Sequence, residues 1–348
     1  MLKRFIGFYL AVIFMVSGTV DSAELTSMQL LYDYQWKPTP NSVSQFSISK
    51  GNLKQGWQHF HRATEYPFPD ARYLSTLLRD SPELKNSILG FTTTKSLASD
   101  LQDAWVAFFR GEFQRAAQLG YQLGPIGHGV GFYSQVTYAS RLESDEGIRH
   151  QLWEDVIERH EVAKHLTGYD SMTRFFAFFA MARLSEEIAA PIVLTRGYIG
   201  SMQVQLEELV ALEPHNVFGL AARASMDAGI VRKMGKMMGR LTYGADESVV
   251  TEFYGRALAE NKVIPNVHLE YAQSLLYMHG KKKLSEAIEH MSLASSVVPR
   301  YVMEALDVNH AKRLLGELLE IQSKNGYGLR DYVKRNTDKE KKYYFANM

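Results

Sequence analysis

The stretch from Pro265 to Pro299, PNVHLEYAQSLLYMHGKKKLSEAIEHMSLASSVVP, limits the fold more than any other part of the chain. Leu269, Ala272 and Leu276 recur at helical spacing and line one stripe of a helix. Gly280 interrupts the pattern, and Lys281-Lys282-Lys283 supply a solvated turn. A second helix carries Leu284, Ala287, Ile288, Met291, Ala294 and Val298 on its buried face. Pro299 stops it, because the ring removes a donor and clashes with the preceding turn. One such hairpin leaves too much apolar surface uncovered, so it has to stack on further units.

The small residues Ala287 and Ala294 allow close approach of two helices, and a Pro follows five positions later. A Gly between helices, then Ala-x6-Ala, then x4-Pro resembles a tetratricopeptide repeat. Upstream, LEELVALEPHN resembles the end of a repeat's second helix, with Pro214, His215 and Asn216 at the boundary. VVTEFYGRALAENKVIP is another second helix, with Tyr254 and Ala257 in place. The interval from Pro265 to Pro299 is 34 residues and that from Pro214 to Pro265 is 51, so the middle unit holds an insertion. FFRGEFQRAAQLGYQLGP, from Phe108, repeats the aromatic, Gly, Ala-Ala arrangement with an early Pro.

The resemblance covers roughly residues 97–299. It implies an all-α fold, a TPR-like α-solenoid of stacked helical hairpins with an irregular N-terminal cap. It places Val267, Glu270, Ser274 and Tyr277 on a concave groove of first helices, with Arg240 and Tyr243 bordering it from the neighbouring unit. GRLTYGADESVVTEFYGRAL, HLEYAQSLL and EALDVNHAKRLL look like runs of exported bacterial repeat proteins. In layout the chain is also similar to the periplasmic T component of some TRAP transporters, a helical-repeat protein that assembles with a solute-binding protein.

The N-terminus has the layout of a secretory signal. Lys3-Arg4 precede an apolar run from Phe5 to Val16, followed by small and polar residues up to Ala23. That run is too short to span a bilayer. Val20 and Ser22 fit the −3 and −1 positions for cleavage after Ser22. The domain reading is a leader over 1–23, an arm and cap over 24–95, a repeat array over 96–322 and a charged tail over 323–348. No Cys occurs, which excludes a lipobox, a disulfide staple and thiolate chemistry. These features point to a periplasmic or secreted protein. Formal net charge is +1, and removing the leader leaves equal numbers of basic and acidic side chains, so nucleic acid is not an expected partner.

In chain order, Leu25 to Tyr34 predicts a short helix and Lys37 to Gly56 an extended arm. The aromatic segment from Trp57 to Tyr73 should cover the first helices as a cap, since a solenoid's open end needs one. Leu97–Arg110 with Phe113–Leu123, then Phe132–Leu142 with Ile148–Leu166, predict two hairpins. The glycines between Gly124 and Gly131 suit either close helix packing or an anion site at a helix start. His160-Glu161 and His165 superficially resemble a zinc protease, but a spacing of five swings the second imidazole off the face, and no metal site is assigned. RFFAFFAMARL is apolar on nearly all faces, so its helix is central, as core or as the wall of an apolar pocket. One helix is expected from Leu194 to Leu212. Another starts at Val217 and continues through the Met- and Arg/Lys-bearing insertion from Val231 to Gly244, a contact surface or a core-covering helix. Tyr301 to Ile321 predicts a terminal capping helix.

Two functions follow. The first is a non-catalytic scaffold holding a protein or peptide of the cell envelope in the groove. The second is accessory binding of a small ligand in an apolar cavity by Phe175 and Phe179, with polar access from His128 or Tyr133. No Gly-x-Ser-x-Gly, His-Glu-x-x-His or Walker loop is present, so no enzyme and no cofactor is expected.

Overall fold

The computed structural model describes residues 25–43, 45–88, 90 and 93–335. The leader over 1–23 and residues 336–348 of the charged tail lie outside the described residues. Among the described residues every regular element is helical, and no strand occurs.

The N-terminal arm is a single π-turn, Gln29–Asp33, followed by extended chain. Trp36 in that chain stacks on Tyr138 at 4.4 Å and anchors it. Helix begins earlier than the composition suggests: α1 spans Lys50–Phe60, taking in part of the expected arm. Asn52 Oδ1 accepts the Ser49 N–H at 2.8 Å, and Leu53 and Trp57, one turn apart, are both buried. Cap and apolar stripe together outweigh the two glycines within that helix. α2 (Ala71–Asp80) and α3 (Pro82–Ser87) complete the N-terminal region. Trp57 lies edge-on to Trp105 at 5.4 Å and to Phe109 at 6.2 Å, so this region does cover the first long helix.

That helix is α4 (Thr94–Phe109), followed by α5 (Phe113–Gln122), α6 (His128–Arg141), α7 (Glu146–Ala163) and α8 (Ser171–Glu187). Side-chain caps set the starts: Thr93, Asp145 and Asp170 each accept a backbone N–H of the first turn. The Gly-rich turn is a packing device. A Cβ on Gly127 would sit 2.0 Å from the Gly120 carbonyl oxygen, so only glycine permits this backbone approach.

Two expected single helices are divided. Gly197, at φ 67°, separates α9 (Ala190–Thr195) from α10 (Tyr198–Leu212). Gly235, at φ 80°, ends α11 (Val217–Met234) and starts α12 (Lys236–Tyr243) at a new angle. Both glycines hold left-handed backbone, which a 3.6-residue pattern continuing on either side conceals. The remaining elements are α13 (Glu247–Glu260), α14 (Pro265–His279), α15 (Leu284–Ser296), α16 (Val302–Ser323) and α17 (Leu329–Arg335).

The hairpin of α14 and α15 follows the sequence reading closely, with Ile288 only half-buried and the last position outside the helix. Ala272, Ala287, Met291 and Ala294 are fully buried, but Val298 lies past the helix end and is 80 % exposed. Part of the expected charged tail is docked: Tyr332 on α17 is completely buried, in the cluster formed by α14, α15 and α16.

Helices adjacent in sequence pack on one another from α4 to α8 and from α13 to α16, while α10 packs on α8 past α9 and α13 packs on α11 past α12. Other ties bring distant parts together. Arg62, just after α1, pairs with Glu304 of α16 at 2.5 Å and donates to the Val263 carbonyl at 2.8 Å. The Val217 N–H donates to the Ala63 carbonyl at 2.8 Å. Arg141 of α6 reaches Asp307 of α16 at 2.8 Å, and Arg183 of α8 reaches Glu270 of α14 at 2.6 Å.

Candidate functional site

These long-range ties surround an internal cavity. Its volume is about 180 Å³. Its wall is drawn from α6, α8, α9, α10, α11, the starts of α14 and α16, and the turn after α1. Most of that wall is apolar, the usual lining of a small-molecule site.

The apolar part is aromatic and centred on α8. Phe175 stacks on Phe218 of α11 at 5.3 Å, and Phe176 stacks on Tyr133 of α6 at 4.1 Å. These two pairs lock α8 between its neighbours while leaving ring faces and edges to the cavity. Phe179 also lines it, beneath the Arg183 guanidinium at 4.7 Å.

The polar groups are nearly all paired. Glu304 and Asp307, one turn apart on α16, face Arg62 and Arg141 respectively. Burial raises both carboxyl groups above their ordinary range, and the arginines act against that shift. Burial alone would lower the Arg183 guanidinium, but Glu186 at 3.0 Å and Glu270 at 2.6 Å outweigh it and hold it protonated. Removing one partner from such a pair leaves a buried charge uncompensated, at a cost of roughly 3–5 kcal/mol. The pairs are therefore structural supports of the wall.

A smaller set of wall atoms has no partner among the described residues. These are Arg62 Nε in the turn after α1, Thr137 Oγ1 and Ser140 Oγ on α6, Ser185 Oγ on α8, and Arg232 Nη1 on α11. Arg232 lies over the Tyr277 ring at 4.9 Å and forms no ion pair among the described residues. Buried hydrogen-bonding groups are ordinarily satisfied, so five orphans on the wall of one cavity stand out; Arg62 keeps its ion pair with Glu304, whereas Arg232 has none among the described residues.

Of the residues singled out from sequence, Tyr133, Phe175 and Phe179 meet in this wall. His128 does not. It is buried against Phe132 at 5.0 Å, outside the cavity, with Nδ1 unpartnered, and burial lowers its pKa to about 3. The groove residues divide. Val267 and Glu270 line the cavity, Ser274 is buried with its hydroxyl 3.0 Å from that of Tyr254, and Tyr277 supports Arg232. Arg240 is exposed and 3.4 Å from Asp246, and the Tyr243 carbonyl accepts from Gln203 at 3.2 Å. His160 is buried while His165 is exposed, so the two do not share a face. On α12, Met237, Met238 and Leu241 are exposed at 73, 47 and 76 %, which makes the insertion a surface element.

Sequence reading missed Arg62 and Arg141, and it took Arg232 only as one cation of the Met-bearing insertion. One signal was available: Arg183 closes an otherwise apolar helix run, and a cation there requires a buried partner.

No protein-family model matches the chain, and no curated protein matches it. Among the described residues, no helix is long and apolar enough to cross a membrane.

Proposed function

We propose that this protein is a non-catalytic carrier that encloses a small apolar or amphipathic molecule in its central cavity, as an exported accessory to solute handling. The reading includes a TPR-like superhelix in which sequential hairpins wind around the cavity, with α1 and α16 closing it. The packing of sequence neighbours from α4 to α8 and from α13 to α16 supports that winding, and the ties of Arg62, Arg141 and Arg183 support the closure. One observation carries the functional reading. The cavity is continuous and largely apolar, walled by ring pairs that hold it open instead of filling it.

The test is calorimetric titration of the purified chain with linear fatty acids, fatty alcohols and bicyclic terpenes. Saturable one-to-one binding of any of them, with a rise in melting temperature, is the expected outcome. Absence of binding across the whole panel would refute the carrier reading.

A second reading rests on α12. Met237, Met238 and Leu241 form an exposed apolar cluster beside the end of α11, the kind of adaptable surface that contacts a protein partner of the envelope. In this reading the interaction site is α12, not a groove of first helices.

A further inference from the structure

The cavity has a polar end, and its position tells which way a ligand lies. Ser140 and Arg141 end α6, Ser185 and Glu186 lie in the last turn of α8, and Arg232 and Lys233 lie in the last turn of α11. These helix ends are held together: the Lys233 ammonium donates to the carbonyls of Ser185 and Ile188, and Arg149 joins the Glu143 and Ser144 carbonyls to Glu187. The opposite end is the stacked pair Phe175 and Phe218, in the first turns of α8 and α11. Of the lining residues only Leu194 and Lys233 are exposed, and both belong to the polar end, so the mouth is there.

We propose that the cavity accepts an amphiphile with one anionic head group, held at the mouth by Arg232 and the hydroxyls of Thr137, Ser140 and Ser185, with its tail toward Phe175 and Phe218. This rests on the carrier reading above. Charge decides the sign of the head group. Arg62, Arg141 and Arg183 are each matched to carboxylates, and Lys233 is spent on helix-end carbonyls. Three helix C-termini meet at the mouth and by themselves disfavour an anion, but Lys233 answers the α8 end. Arg232 remains, a permanently charged donor with a buried unpartnered Nη1, in a wall that also carries the unpartnered hydroxyls of Thr137, Ser140 and Ser185. A neutral head group would leave that cation uncompensated, and a cationic one would be repelled.

Three probes with one tail and different heads test it: dodecanoate, dodecanol and dodecyltrimethylammonium, titrated into the full chain below their micelle concentrations. Dodecanoate is expected to bind about 10- to 100-fold tighter than dodecanol, the range of a charge-assisted hydrogen bond. Arg232→Gln should weaken dodecanoate far more than dodecanol and so erase that preference, and Arg232→Lys should retain part of it. Equal affinity for the acid and the alcohol, or tightest binding of the ammonium, overturns the head-group assignment and leaves the carrier reading standing. No binding by any of the three overturns the amphiphile assignment, and the carrier reading falls with it only if the bicyclic terpenes also fail to bind. If Arg232→Gln does not fold, the three head groups on the parent protein still decide.

Discussion

Gly229 offers a perturbation whose two effects have opposite signs. It lies within α11 and lines the cavity, and a Cβ built there meets nothing within 4 Å. Gly229→Leu replaces the weakest ordinary helix former by a strong one, a gain of about 0.8 kcal/mol. A fully covered leucine adds about 1.5–3 kcal/mol, and the half-exposed setting of Gly229 halves that to about 1 kcal/mol. The net stabilisation is about 2 kcal/mol. Domains of 150–250 residues shift by roughly 2–4 °C per kcal/mol, and a chain of 348 residues sits at the low end, so the melting temperature should rise by about 4 °C. The same leucine takes space from the ligand, so dodecanoate affinity should fall at least about tenfold. Scanning calorimetry reads the first effect and isothermal titration the second. Insertion into a packed core would instead cost about 1–3 kcal/mol. A lowered melting temperature therefore refutes the open cavity, and a raised one with unchanged affinity refutes its occupation by ligand.

The other predictions concern packing and pH. Gly127→Ala drives a methyl group into the Gly120 carbonyl and should lower the melting temperature by several degrees or prevent soluble expression; an unchanged melt would mean that α5 and the turn before α6 are further apart. His61 and His128 are lowered by burial from 6.5 to about 3, and His59 and His160 to about 4. Stability from their neutral forms is complete above pH 6.5 and is lost as pH falls toward 3, at about 1.4 kcal/mol per pH unit for each fully buried ring, so urea midpoints should be flat from pH 8 to 7 and drop below 6. Asp170, capping α8 and bonded to Tyr66, behaves oppositely: burial raises it from 3.8 to about 6, so its contribution is present below pH 3.8 and lost as pH rises through 6. Asp170→Asn keeps an oxygen acceptor for the Met172 and Thr173 N–H groups and should gain about 1–3 kcal/mol over the parent at pH 7 but nothing at pH 4; an equal effect at both would show that the parent carboxyl is not raised.

The parts of the molecule governed by local pattern were legible. Leu269, Ala272, Ala287 and Met291 announce their faces through spacing alone, and Asp246 stands where a helix start requires it. Gly197 and Gly235 defeated the pattern because the apolar period resumes after each in a helix of new direction. The cavity was half legible. Phe175 and Phe179 stood out because an all-round apolar helix must be enclosed, whereas their partners come from residues 60–63, 133–141, 218–234, 264–270 and 301–307, which no local window unites. Arg232 was visible only as one cation in a basic run. Its distinction, the lack of a carboxylate, is a tertiary property.

The turn after α1 has a consequence for how the molecule is assembled. Arg62 and Ala63 leave the ribosome early, yet the groups they bind, Val217, Val263 and Glu304, follow some 150 to 240 residues later. Such distant pairings make closure slow and leave the first helices waiting in a partly built state until the last long helix arrives. A chain cut short before α16 would present those aromatic rings to water, so the vessel becomes a vessel only when its two ends have met.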